Sequence, residues 1–366
     1  MNSLSKTEGD IRKHFTEALK EYGAFDRTLG ALASLSFVLN EVKEIAQEAE
    51  LVDFRPKIIP TSGNPDPYTP DGVILTKRCD FILELKSSWD HKDTAQVIKY
   101  GRSPGLFLRD GTQRSFRSEK CTLLGYQNPP GGANLDTLFE HWHTNRIGSP
   151  LVVFRYSLES AAEGDRMYFA RVPYVSNGLC PASKLGDLLN NPRGFHVSAD
   201  RYKLHRSKFH KANDEVIASY AAVIWWTKYV KHYLSEDQRS EMADNGRLSR
   251  PLVLKWEDIS TIPALADVDV PLGPREVQRA LEFLQQAKLV SFKSRTGAYH
   301  IELREDRLIR VPGDGPVPKA EAQDIRTKIL ARWATNKVKA PITSGRVGGR
   351  RSVRRRGGDP RQSTLF

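Results

Sequence analysis

Cysteine is nearly missing from this chain: three in 366 residues, at Cys79, Cys121 and Cys180, far apart in sequence. That spacing gives neither a disulfide framework nor a zinc cluster, and it fits a reducing, cytoplasmic setting. Long hydrophobic runs are lacking too. No apolar stretch approaches the roughly 20 residues of a membrane-spanning helix. The opening residues Met1 to Glu8 lack a leader-peptide core, so no membrane partner is expected. Acids are outnumbered, 44 against 56 lysines and arginines, for a formal charge of +12. A hydrophobic content of 39% with 27% charged residues describes a soluble chain, long enough for two or three domains. His141 and His143 flank Trp142; they are read as packing or surface residues rather than a metal pair.

The positive charge is unevenly placed. Residues 337–366 hold nine bases (Lys337, Lys339, Arg346, Arg350, Arg351, Arg354, Arg355, Arg356, Arg361) against one acid, Asp359, so this end carries +8 and the rest only +4. Rich in glycine and poor in large apolar side chains, it is expected to be a disordered arm. Arginines on such an arm neutralise phosphates without reading sequence. The last residues, Gln362, Ser363, Thr364, Leu365 and Phe366, add two apolar anchors and an amide to this polar arm.

The segment from Pro70 to Lys86 carries the chemistry. Asp71 precedes the apolar run Val73 to Leu75, a short polar connection follows at Thr76 to Arg78, and a second run ends in Glu84, Leu85 and Lys86. These read as a β-hairpin. Strand alternation puts Asp80, Ile82, Glu84 and Lys86 on one face and Phe81, Leu83 and Leu85 on the other. An Asp and a Glu converging across a hairpin make an oxygen-rich site suited to Mg²⁺ or Mn²⁺. A lysine beside them can orient or deprotonate a water, or stabilise charge on a phosphate. The bland reading of Glu84 and Lys86 is a solvated ion pair. Asp66, in an earlier Pro-Asp pair, competes with Asp71, but Pro67 after it suits a loop better than a strand start. Gln96 and Tyr100 then follow, four apart and on one helix face.

These residues resemble the PD-(D/E)xK nuclease superfamily: Pro70-Asp71 matches its Pro-Asp and Glu84-Leu85-Lys86 its Glu-x-Lys. Gln96 and Tyr100 are similar to the Gln-x-x-x-Tyr motif of RecB-like and type I restriction-subunit nuclease domains. The resemblance implies a restriction-endonuclease-like α/β core with a mixed sheet flanked by helices. It implies Asp71 and Glu84 as metal ligands, with the Leu85 carbonyl assisting, Lys86 as the catalytic lysine, and Gln96 and Tyr100 in support. It also implies a glutamate on the first helix. The segment around Thr7, Glu8, Phe15, Leu19 and Tyr22 reads as a capped amphipathic helix, and Glu8 is the candidate. A second helix, expected from about Leu29 to Glu50, offers Glu41 as the rival. Gln362, Leu365 and Phe366 resemble the peptide by which bacterial replication and repair proteins dock on the sliding clamp.

Domains are expected at 1–160 (nuclease core), 161–245 (β-hairpin and helical extension), 246–312, 313–336 (helical connector) and 337–366 (tail). Apolar runs at Cys121 to Tyr126, Leu151 to Tyr156 and Met167 to Arg171 read as strands continuing beyond the core, with a hairpin loop at Ser160 to Asp165. The basic run Lys203 to Lys211 faces either a phosphate backbone or solvent. Val216 to Leu234 reads as a helix whose Trp225 and Trp226 are core. Leu252 to Ile259 is expected to be a helix. Gly273 to Val290 forms another, with Val277, Leu281, Leu284 and Leu289 on its apolar face. Two short strands then surround Arg295 to Gly297. This order resembles a winged helix-turn-helix, which implies a helix in the major groove with Lys293 and Arg295 on the wing meeting the backbone.

The expected function is a Mg²⁺-dependent deoxyribonuclease of bacterial or phage origin, brought to DNA by the winged helix and basic tail and recruited by the sliding clamp. Two alternatives stay open: an inactive nuclease-like DNA-binding or regulatory protein, and an endonuclease subunit of a mobile element that is active only with a partner; a homodimer or a partner protein is the further partner expected.

Overall fold

The computed structural model describes residues 2–54, 56–61, 67–108, 110–202, 214–261, 272–303 and 324–339. Helix α1 (Asn2–Glu41) runs unbroken for 40 residues, and a short α2 (Lys43–Ala46) follows. This corrects the expectation of two helices divided before Leu29. Gly23 and Gly30 lower the local helix propensity, but packing decides. A Cβ at Gly30 would stand 2.9 Å from the Met167 side chain, so the glycine is where the helix presses closest to the sheet.

Strands β1 (Ala49–Phe54), β2 (Lys57–Ile58), β3 (Gly72–Thr76) and β4 (Asp80–Ser88) lead to helix α3 (His91–Arg102). Then come β5 (Gly105–Phe107), β6 (Gln113–Ser115), β7 (Lys120–Asn128), helix α4 (Gly132–Thr144), β8 (Leu151–Ala161) and β9 (Gly164–Arg171). Helix α5 (Lys184–Asn190), β10 (Phe195–Ser198) and α6 (Ala199–Tyr202) complete this half. The main sheet has seven strands in the order β1-β3-β4-β7-β8-β9-β10, and β2-β5-β6 form a small second sheet. Pairing is antiparallel at both edges and parallel along β4-β7-β8. The protein is therefore mixed α/β, with a mixed sheet flanked by helices. The central strands are buried on both faces, as parallel strands covered on both sides are. The C-terminal half of α1 covers one face, packing Leu32, Leu35 and Leu39 against Phe81, Leu83 and Phe154. Helices α3 and α4 cover the other, through Val97, Leu138 and Trp142.

The runs expected to lie beyond the core are the core. β7, β8 and β9 share the sheet with β4, and a boundary at 160 would cut the β8–β9 hairpin, parting Ser160 from its partner Asp165. Local alternation reports a strand but not its neighbours, which is why the placement needed the fold.

The remaining helices build a second core. α7 (Asp214–Ile224) continues through a π-helical turn at Trp225–Tyr229 into a 3₁₀ turn at Val230–Tyr233, and α8 (Glu236–Asn245) follows. Next come β11 (Leu252–Lys255), α9 (Trp256–Ser260), α10 (Pro274–Gln286), β12 (Val290–Lys293), β13 (Ala298–Ile301) and α11 (Ile325–Lys339). Trp225 is fully buried, as expected. Leu252–Lys255 is a strand rather than the start of a helix: its buried Leu252 and Leu254 alternate with exposed Val253 and Lys255, and it pairs with β13 in a sheet ordered β11-β13-β12. Phe15, Tyr22 and Phe25 from the N-terminal half of α1 enter this core beside Trp225, Leu281 and Trp333, so α1 belongs to both cores. Helix α11 carries the chain past the expected start of the tail. Lys337, expected to be free, pairs with Glu215 at 2.7 Å and lies over the Trp333 ring.

Candidate active site

The β3–β4 hairpin turns at Thr76, whose hydroxyl donates to the Cys79 carbonyl at 2.7 Å. Its register pairs Gly72 with Leu83. One further step puts Asp71 opposite Glu84, so the two carboxylates share one face. Both are buried, at 3% and 5% exposure. Asp71 Oδ2 accepts the Leu85 backbone N–H at 2.7 Å, which pins its carboxylate across the strand end.

Helix α3 roofs the same face. It starts from a capping box in which the Asp90 carboxylate accepts from Lys92 N–H and Asp93 Oδ2 accepts from Asp90 N–H at 2.9 Å. Asp93, Gln96 and Tyr100 lie three and four apart and point down onto β4. Gln96 Nε2 donates to Glu84 Oε1 at 2.9 Å, and the Tyr100 hydroxyl donates to Glu84 Oε2 at 3.1 Å. Lys86 Nζ stands 2.8 Å from Glu84 Oε1, donates to Gln96 Oε1 at 2.9 Å and lies 3.6 Å from Asp93 Oδ1. Lys86 keeps 23% of its side chain exposed. The structure thus joins Glu84, Lys86, Gln96 and Tyr100 in one hydrogen-bonded cluster beside Asp71.

Charge follows from this packing. Burial alone would lower the Lys86 ammonium, but the Glu84 charge and hydrogen bond, with Asp93 and Asp71, hold it above the ordinary lysine value. Burial and then the Glu84 charge push the Tyr100 hydroxyl well up, so it remains a donor. Burial and Asp93 do the same to Tyr126, whose hydroxyl donates to Asp93 Oδ2 at 3.3 Å.

Other expected residues lie elsewhere. Thr28 on α1 meets the Tyr156 hydroxyl at 2.9 Å, and that hydroxyl donates to the Lys86 carbonyl at 3.2 Å. Thr28 therefore marks where α1 passes the site. Glu8, twenty residues earlier at 1.5 Å per residue, stands about 30 Å up the helix, and Glu41 about 20 Å beyond it on the other side. Both are exposed. Neither joins the cluster, because α1 is one continuous helix rather than two that fold back. At its crossing point α1 offers Arg27, whose Nε donates to Gln127 Oε1 at 2.8 Å. Lys293 and Arg295 are exposed on β12 and the β12–β13 turn. His141 and His143 lie exposed on either side of buried Trp142. Asp66, the Lys203 to Lys211 run, and Arg350, Arg351, Arg354, Arg355, Arg356, Gln362, Leu365 and Phe366 lie outside the described residues.

Sequence reasoning missed Asp93, Tyr126, Tyr156 and Gln127. Asp93 had a signal, being three residues before Gln96 and so on its helix face. The other three reach the site only through strand pairing.

Among the described residues no three His, Cys, Asp or Glu side chains gather as a metal cage. Mg²⁺ needs no such cage, since it takes one or two carboxylates with water and substrate phosphates. Asp71 and Glu84 fit that requirement.

No protein-family model, curated protein or solved structure matches the chain.

Proposed function

We propose that this chain is a metal-dependent DNA endonuclease of the PD-(D/E)xK type. The observation that carries the reading is the meeting of Asp71 and Glu84 across one hairpin, with Lys86, Gln96 and Tyr100 bonded around them. Asp71 and Glu84 would hold Mg²⁺ or Mn²⁺, which when bound lowers the charge on the phosphate and the pKa of a bound water. Lys86, held as an ammonium at the open edge, donates to the attacking water or to a phosphate oxygen. Gln96 fixes Lys86 and Glu84 at once, and Tyr100 holds the second Glu84 oxygen, so both supporting residues act through the catalytic pair. The Leu85 N–H keeps the Asp71 carboxylate turned to the same point.

The β11–β13–β12 unit, with α9 and α10, is read as a winged helix, and Lys293 and Arg295 would meet phosphates from it. The arginines after residue 345 would add contacts that weaken with salt. Gln362, Leu365 and Phe366 would dock on a sliding clamp, and removing residues 362–366 should abolish capture by immobilised clamp.

Asp71→Ala and Lys86→Ala should each eliminate Mg²⁺-dependent cleavage of plasmid or branched DNA while binding persists. Full activity in either variant would overturn the assignment. A second reading, an endonuclease subunit that cuts only with a partner, is favoured by how fully Glu84 is engaged by Lys86, Gln96 and Tyr100. Activity that appears only on adding a partner protein would select it.

A further inference from the structure

The first helix, expected to bring an acid to the site, brings cations. With 100° between residues, Lys13, Lys20 and Arg27 fall on one narrow stripe of α1, and Arg12 lies beside it. Arg12, Lys13, Thr16 and Lys20 are exposed, and Arg27 is half-buried. Asp10 and Glu17 flank Lys13 one turn to either side without pairing with it. Glu17 and Glu21 turn toward α7 and α11, where they line a cleft with Glu215 and Lys337, and Asp26 accepts the Tyr220 hydroxyl at 2.6 Å. Among the described residues no carboxylate pairs with Arg12, Lys13, Lys20 or Arg27.

The inner end of this stripe is anchored to the candidate active site. Arg27 bonds Gln127 at the end of β7, Gln127 Nε2 donates to the Tyr156 hydroxyl at 3.2 Å, and Tyr156 donates to the Lys86 carbonyl. Gly23, one turn back, leaves the space in which the Arg27 guanidinium lies along the helix. A Cβ there would stand 3.3 Å from Arg27 Nη1. From Arg27 the cations recur every seven residues, about 10.5 Å apart, and reach about 21 Å outward.

We propose that this stripe of α1 is the track on which a duplex nucleic-acid strand leaves the site, its phosphates facing Arg27, Lys20 and Lys13 in turn. A row of cations with no carboxylate paired to it, joined at its inner end to the Lys86 carbonyl through Gln127 and Tyr156, is complementary to a regular polyanion. The row's reach of about 21 Å covers several successive phosphates of one strand. The proposal rests on the nucleic-acid part of the function above and not on cleavage.

The test is fluorescence anisotropy of the full chain with a labelled 30-base-pair duplex in EDTA, across a salt series. Lys13→Gln with Lys20→Gln should lower the slope of log affinity against log salt by about 1.8, and weaken binding about 30-fold at 0.15 M salt. Lys77→Gln with Arg78→Gln makes the same charge change at the exposed hairpin turn, away from the site, and should shift the slope by less than about 0.5. A slope for the α1 pair within 0.5 of wild type would overturn the track. So would an equal fall in the control pair, or competition by polyglutamate as effective as by duplex, which would mark an acidic protein partner. Because no metal is present, the nuclease assignment can fail while the track stands, and the reverse.

Discussion

Removing the Lys86 ammonium tests whether the cluster is a coupled unit. Lys86→Met keeps the stem and deletes the 2.8 Å pair with Glu84, the bond to Gln96 and the 3.6 Å contact with Asp93. A fully buried broken pair costs about 3–5 kcal/mol and a surface pair at most about 1. With Glu84 nearly enclosed and Lys86 partly open, the cost should be about 2 kcal/mol. Glu84→Gln removes charge-assisted bonds from Lys86, Gln96 and Tyr100 and should also cost about 2 kcal/mol. In the double variant both charges vanish together, so the loss should be about 2.5 kcal/mol, a coupling of about 1.5. Amide hydrogen exchange of the β4 segment reads this locally, and suits a chain with two cores better than a single unfolding midpoint. Either single variant should exchange about thirty-fold faster at β4. Because the folded value of Lys86 is raised above 10.5, the coupling should be intact at pH 7 and fade only as pH climbs through that raised value. Additivity within about 0.5 kcal/mol would refute the claim that Glu84 and Lys86 are held as one unit.

Two further outcomes follow from the packing around the site. Gly101→Ala drives a methyl group into Trp142 and Ile147, so α3 must lift off α4; a cost of about 2–3 kcal/mol is expected, and with α3 carrying Gln96 and Tyr100 any cleavage should fall in step. Lys120 has its ammonium lowered to about 8 by burial while its Nζ donates to the Ser103 carbonyl at 2.6 Å. The unfolded chain then binds the extra proton between pH 8 and 10.5, so stability should rise with pH across that window. Lys120→Met should abolish that rise in denaturant titrations, and an unchanged pH profile would show that Lys120 is not the source.

Much of the site was legible because it is local. Asp71, Glu84 and Lys86 lie within sixteen residues on a hairpin whose turn is written in Thr76 to Arg78, and strand alternation alone puts Glu84 and Lys86 on one face. Gln96 and Tyr100 need only a helix repeat. The apolar runs around Leu123, Val153 and Phe169 were equally readable as strands. What they pair with was not, since a strand's sequence reports its own burial and not its neighbour's identity. The same limit hid the β4–β7 parallel pairing that brings Tyr126 to Asp93, and the β8 position that brings Tyr156 to the Lys86 carbonyl.

The first helix divides the two kinds of information most clearly. Its sequence determined an amphipathic helix with apolar Phe15, Leu19, Tyr22 and Phe25, and scattered both acids and bases over the rest. Only the tertiary structure decided that Gly23 and Gly30 interrupt nothing, because close packing at Met167 and the room taken by Arg27 outweigh about 1 kcal/mol of lost propensity at each. It also decided which residue meets the site. A continuous helix advancing 1.5 Å per residue carries Glu8 about 30 Å along its axis and leaves Arg27 at the crossing. Periodicity specifies which faces a helix has, but only its contacts fix which turn of that helix arrives where.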